Sequence, residues 1–115
     1  MNRLIKQLFE GFTVDGVSIP VSFLYYLGHG EPYVVYSQVD ADTEFSADDE
    51  LQAYCEYYDF DVYSKGNYID ICEAVIGILE DAGFRYQPSR SSGDLYDPDT
   101  EYFHKTLNFQ IIKEV

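Results

Sequence analysis

The chain has two histidines, His29 and His104, and two cysteines, Cys55 and Cys72. These are the residue types that bind zinc or act as nucleophile and base. Their spacing does neither job. No His or Cys pair falls at a zinc-ligand interval, so a shared metal site would need the fold to gather distant residues. Carboxylates are plentiful, at 21 in the chain. Asp40-Ala41-Asp42-Thr43-Glu44 begins like a calcium loop but lacks the central glycine and the closing glutamate. The cluster Asp94, Asp97, Asp99 and Glu101 has the same shortfall. Both read as solvated acidic loops, able at most to hold Mg²⁺ or Ca²⁺ weakly. A glycosidase-type acid pair is uninformative among so many acids. No GxSxG, P-loop, GxGxxG or Cys–His nucleophile arrangement is present. The expectation is a protein without catalytic residues, cofactor or metal site.

The elements behind these residues are better marked. Leu4, Ile5, Leu8 and Phe9 form one stripe of a short helix that stops near Gly11. Asp15-Gly16 predicts a turn. Val17–Tyr26 reads as a strand, with Pro20 forcing an edge or a bulge. A Gly-rich loop through His29 leads to a second strand, Tyr33–Val39. Residues 40–50, with six acids, read as a solvated loop or hairpin tip. Leu51–Tyr63 alternates as a strand, but its apolar phase flips past Tyr58. A bulge near Tyr58 or Asp59 would explain the flip, as would partial cover on both faces. Tyr68–Ala82 carries helical spacing. Asn67 and Asp70 make a capping-box-like start, and Gly83 followed by Phe84 makes a C-terminal stop. Phe84–Gln87 suggests a short strand. Pro88–Pro98 looks like a long mobile loop of the kind that is often functional. In the last strand, from Thr100 to Lys113, Phe103, Leu107, Phe109 and Ile111 oppose Tyr102, His104, Thr106, Asn108 and Gln110.

The total of 115 residues suits one domain over residues 1–115. At 46% hydrophobic and 17% aromatic it is too apolar for a disordered acidic tail. The fold class expected is α+β: a mixed, mainly antiparallel sheet of about 4–5 strands with one long and one short helix packed on one face. Tyrosine, with 12 copies, suits half-buried sheet faces and contact surfaces. The net charge of −14 is uneven. No Lys or Arg occurs between Lys6 and Lys65, while that stretch holds twelve acids. Such a surface repels nucleic acid and anionic membrane, and attracts basic protein patches. No apolar run approaches the roughly 20 residues of a membrane span. The cysteines fit buried free thiols in a reducing cytoplasm.

Three strings carry a resemblance: Val62-Tyr63-Ser64-Lys65-Gly66-Asn67-Tyr68, then Ala82-Gly83-Phe84, then Tyr96-Asp97-Pro98-Asp99-Thr100-Glu101-Tyr102-Phe103-His104-Lys105. In this order they resemble tail completion, tail terminator or head–tail joining proteins of siphophages and prophages of Gram-positive bacteria, similar to the minor tail protein U superfamily. The likeness covers about residues 51–113, with Tyr63 where tryptophan is common. The resemblance implies a structural virion protein that caps the head-proximal end of the tail tube and mediates head–tail joining. It implies a ring, commonly a hexamer, with the tube protein and head–tail connector proteins as partners. The location implied is the virion tail, and the host cytoplasm during assembly. DNA would pass through such a ring without sequence-specific recognition, and acids of 40–61 facing the channel would keep it from sticking. Another tail or head completion role within the same class stays open. The charge also admits a different reading, a small acidic inhibitor or DNA mimic that occupies a nucleic-acid-binding protein.

The contact residues expected are Asp40, Asp42, Glu44, Asp48 and Asp49 in the acidic segment, and Arg90, Asp94, Tyr96, Asp97 and Asp99 in the Pro/Ser/Asp loop. Tyr54, Glu56 and Tyr58 form a third group, as a subunit contact or as residues covered by the chain's own helix.

Overall fold

The computed structural model describes residues 2–26, 28, 30, 32–47 and 50–114, and their side chains except at 2, 42–53 and 114. A short helix, α1 (Asn2–Leu8), leads into a two-stranded hairpin of β1 (Thr13–Val14) and β2 (Val17–Ser18). Asp15 and Gly16 at its tip both have positive φ, at 53° and 77°. That is the geometry an Asp-Gly two-residue hairpin favours. Pro20 divides the expected strand, so pairing resumes only in β3 (Val21–Phe23). β3 lies at the sheet edge, as a proline-bounded strand should, and runs parallel to β4 (Tyr33–Ala47). Then follow β5 (Glu50–Ser64), α2 (Tyr68–Asp81), β6 (Arg85–Tyr86), a single 3₁₀ turn (Pro88–Arg90), β7 (Leu95–Asp97) and β8 (Tyr102–Glu114). The main sheet has six strands in the order β3-β4-β5-β8-β6, with β7 also on β8. All its pairings except β3–β4 are antiparallel. This is the expected mixed, mainly antiparallel α+β fold.

Both helices cover one face. Ile5 and Phe9 of the N-terminal segment, and Ile71, Val75 and Leu79 of α2, are buried in one cluster with Val34, Tyr36, Tyr58, Phe60, Val62, Leu107 and Phe109. Phe60 sits at the centre, with its ring centroid 5.3 Å from Tyr36, 5.5 Å from Phe109 and 5.9 Å from Phe9. Only the C-terminal end of α2 is set locally. At its C-terminus Gly83 N–H bonds Glu80 O at 3.1 Å and Phe84 N–H bonds Leu79 O at 3.0 Å. This reciprocal pair is the Schellman arrangement, and Gly83 supplies its φ of +97°. At the start, Asn67 holds the N-cap position, but its side chain does not cap the helix. Ser64 Oγ donates to its Oδ1 and its amide reaches Asp15 at 3.5 Å, so it ties the helix start to the β1–β2 turn.

Three expectations change. The acidic segment is strand as far as Ala47, and strand resumes at Glu50. An extended strand also cannot curl as a calcium loop does. The irregularity expected in β5 belongs to β4: Val39 is the extra residue between the pairs Gln38–Tyr58 and Asp40–Tyr57. β5 keeps unbroken register with β8 from Ala53 to Ser64, and its phase change reflects cover on both faces. Residues 85–97 are no free loop. They run along the outer edge of β8. Gln87 and Ser92 N–H bond the carbonyls of Asn108 and Thr106, while Ser91 and Ser92 Oγ accept from Asn108 and Thr106 N–H. Serine hydroxyls thus complete a strand ladder where regular pairing lapses.

Beyond the helices the long strands continue as an arm. The molecule measures 53 × 27 × 23 Å, with a radius of gyration of 15.3 Å against about 13 Å for a compact chain of this length.

Two glycines of α2 and its cap should respond oppositely to alanine. A Cβ at Gly77 or Gly83 meets nothing within 4 Å, so only backbone terms differ. Gly83→Ala should cost about 1 kcal/mol, because alanine resists positive φ. Gly77→Ala, on an exposed helical position, should gain up to about 1 kcal/mol. Urea midpoints measure both.

Candidate functional site

The face of the sheet away from the helices carries a row of rings. Tyr33 of β4, Tyr63 of β5 and His104 of β8 are directly opposite one another in register. With Tyr26 they stack at 4.5, 4.7 and 4.2 Å between successive centroids, tilted by only 14–21°. Tyr102 meets Tyr33 edge-on at 6.2 Å, and Lys65 Nζ lies 5.7 Å from the Tyr102 ring. All five rings are half-buried. Their faces are filled by one another, so no planar ligand can slide between them. What solvent meets is ring edges and hydroxyls. Burial, then the Asp61 carboxylate, pushes Tyr63 above its ordinary value; burial, then Tyr102, does so for Tyr33. Both hydroxyls stay protonated. The row is a stiff, amphipathic surface of the type proteins use for contact.

Next to it lies a polar network. His104 Nε2 is 3.1 Å from Asp61 Oδ1, and Thr106 Oγ1 donates to the same oxygen. An ionised carboxylate only accepts, so both partners donate. Burial pushes Asp61 up, but the His104 and Thr106 hydrogen bonds outweigh it and hold the carboxyl below its ordinary 3.8. A nucleophile–base relay needs histidine between carboxylate and hydroxyl. Here the hydroxyl bonds the carboxylate directly, and His104 Nε2 lies 3.4 Å from the same hydroxyl oxygen. Asn108 Nδ2 donates to Asp59 Oδ1 at 2.8 Å. Further out, Gln110 Nε2 reaches Tyr57 Oη at 3.1 Å and Cys55 Sγ at 3.3 Å. The Arg90 guanidinium covers the Tyr57 ring at 3.9 Å and pairs with Asp40 at 3.2 Å.

The expected contact residues divide accordingly. Asp40 is exposed on β4. Asp42 and Glu44 lie in the same strand, with side chains outside the described set; Asp48, Asp49 and His29 lie outside the described residues altogether. Arg90 reaches back to Asp40 and so joins the two groups that the sequence kept apart. Asp94 pairs with Lys105 Nζ at 3.3 Å. Asp97 shapes its own turn, its Oδ1 accepting from Asp99 N–H at 2.9 Å, and Asp99 is exposed. Tyr96 is exposed with its ring 4.9 Å from Phe103. Tyr58 is a correction. It faces the helices at 4% exposure, against Phe84, so its contact is intramolecular. Burial, then Glu56, pushes its hydroxyl up to about 12. Tyr54 and Glu56 are half-buried on that same helix-side face.

Sequence reasoning missed three features. The ring row needs strand register, which no local pattern supplies. The exposed Phe23, Leu24 and Tyr25 at the end of β3 passed as strand; three large apolar residues running into a Gly-rich loop were the available signal. The third is a cleft of about 180 Å³ between α2 and the β6–β8 edge, lined by Tyr68, Ile69, Cys72, Ile76, Tyr86 and Leu107, with Glu73, Asp94 and Lys105 also lining it. Cys72 lies in its wall, and burial pushes the thiol up to about 11, which makes it unreactive. Cys55 is likewise buried and free. Among the described residues no helix is long and apolar enough to cross a membrane. No family model matches the chain, and no curated protein matches it.

Asp61 should leave a signature in acid. A depressed carboxyl stabilises the fold above its unfolded value, and that contribution is lost as pH falls through the folded value. Urea titrations of the wild type should therefore lose stability below about pH 4. Asp61→Asn should cost about 1–2 kcal/mol at neutral pH and show a shallower acid limb. Equal limbs would assign the acid sensitivity to other carboxylates.

Proposed function

We propose that this chain is a structural subunit of a long-tailed phage or prophage particle, capping the head-proximal end of the tail tube and joining tail to head. The observation that carries the reading is the open outer edge of β4. β5 pairs β4 from Tyr33 to Ala47, but β3 covers its other side only from Val34 to Tyr36. Among the described residues, no strand pairs the edge from Ser37 to Ala47. An unpaired edge of this length is a place for another chain to dock. It lies on an arm that reaches past the core, as a subunit that must touch neighbours requires.

The resemblance supports the same reading, and its three strings have structural roles. Ser64-Lys65-Gly66 is the turn from β5 into α2, Ala82-Gly83-Phe84 is the Schellman stop, and residues 96–105 form the turn from β7 into β8. Copies of the chain would form a ring, commonly a hexamer in that group, between the tube protein and the connector. The DNA-mimic alternative needs rows of free carboxylates. Asp40, Asp59, Asp61 and Asp94 are instead engaged by Arg90, Asn108, His104 with Thr106, and Lys105.

Deleting the gene from the phage or prophage that carries it tests the assignment. Electron micrographs should show tails of abnormal length, or tails and heads unjoined. Normal particles would overturn the assignment.

A further inference from the structure

We propose that the open edge of β4, from Ser37 to Ala47, takes up an extended basic segment of a different protein as an added strand, with the Phe23–Tyr25 turn gripping the end of that strand. The inference deepens the subunit reading, on which it rests, by naming the chemistry of the chain that docks there.

The turn after β3 keeps the edge clear. Leu24 N–H bonds Tyr36 O at 2.9 Å, which completes the β3–β4 contact. Tyr25 N–H then donates to Phe23 O at 2.8 Å around Leu24, whose φ is +69°. A three-residue turn with a positive central φ is the strained form of its class, and leucine rarely adopts it. Such strain persists only where the surrounding structure enforces it. Here it turns the chain back, so that Tyr26 stacks on Tyr33 at 4.5 Å, near the start of β4. The backbone from Ser37 onward is left uncovered. Farther along, the exposed Ala41 N–H has a side chain for its acceptor, Asp40 Oδ1 at 2.8 Å. A carboxylate takes the donor that the carbonyl of an added strand would take.

The turn also supplies an apolar grip. Phe23, Leu24 and Tyr25 are exposed at 41%, 58% and 63%, and Val39, at the head of the open edge, at 47%. Lone apolar side chains on a surface are ordinary, but three in succession beside an unpaired edge mark a contact site. A strand entering at Ser37 lies end-on to β3 and buries a large apolar residue against them.

Charge selects the occupant. Residues 37–57 carry seven acids and no Lys or Arg. Even with Arg90 on Asp40 and Lys113 opposite Tyr54, this arm stays strongly acidic. Charged side chains are a means by which sheet edges resist pairing with their own copies. A second β4 would bring the same acids and be repelled. The opposite side of the sheet offers β6 and β7, of only two and three residues. A strand bearing Lys or Arg is attracted by the field that repels these copies. Main-chain hydrogen bonds then supply affinity, as in other strand additions.

Synthetic peptides added to the full chain test the docking. One, long enough to span 37–47, alternates Lys with Val and Thr and carries Leu at each end. A second has Glu for every Lys. A third has Pro for every Thr, which keeps the charge and removes strand donors. Hydrogen exchange should show the Lys peptide protecting 37–47. Titration should show it binding at least about tenfold tighter than either control. Leu24→Asn suits a positive φ better, so it should keep the urea midpoint while weakening the Lys peptide severalfold. Equal binding of the Pro peptide would reduce the effect to unspecific charge and overturn strand addition. Protection of 37–47 before any peptide is added would give the edge to a second copy and overturn it likewise. A Lys peptide that fails to bind, with tails still abnormal after gene deletion, would overturn the docking and leave the subunit reading standing. Binding as expected, with normal particles after deletion, would uphold the docking and sink the virion assignment alone.

Discussion

The pairing of β5 with β8 is the constraint from which the rest of the molecule follows. Twelve residues of β5, Ala53 to Ser64, stand opposite β8 without a break. The register is fixed twice over. On the helix side Phe60 and Val62 meet Leu107 and the two helices in the core. On the other side Asp59 faces Asn108 and Asp61 faces Thr106, each joined by a side-chain hydrogen bond. A one-residue slip would bury two aspartates beneath α2 and put Phe60 and Val62 in water. Both faces oppose that slip, so this pair forms a rigid axis. The helices pack against it, and the ring row is laid across it.

Everything proposed to act lies at the margins of that axis. On one side β4 extends beyond its short parallel partner and leaves an edge open, while the strained turn after β3 holds three apolar side chains in solvent. On the other, the segment from Arg85 to Asp97 seals most of the β8 edge with serine hydroxyls and short strands, and α2 overhangs it to form the cleft. One sheet therefore has two unlike edges. Unlike edges on a stiff plate suit repeating assembly better than a two-fold dimer.

The parts of this architecture that local chemistry sets were legible in the sequence. Helix α2 announced its C-terminal end, because a C′ glycine acts on adjacent backbone groups; at its start Asn67 takes the expected position without the expected capping bond. The alternation of β8 gave its two faces correctly, and Pro20 gave the edge position of β3. Features that depend on a partner strand were not legible. Asp40 to Glu44 have poor strand propensity, yet pairing with β5 keeps them extended. The flip of phase in β5 left a bulge and cover on both faces as alternatives, and only the partner strands decide for the second; the Val39 bulge of β4 left no local mark. Ser91 and Ser92 read as loop because nothing local says that their hydroxyls stand in for a strand. Tyr58 read as a contact residue because its burial depends on Phe84, which α2 delivers from far along the chain.

The central claim is that assembly uses the open edge of β4 and leaves the β5–β8 axis unchanged. Amide hydrogen exchange, compared between dilute and assembled protein, measures this most directly. The account predicts new protection along 37–47, with the slow amides of β5 and β8 unaltered. New protection centred on Asp59–Tyr63 and His104–Asn108, with the edges unchanged, would contradict it.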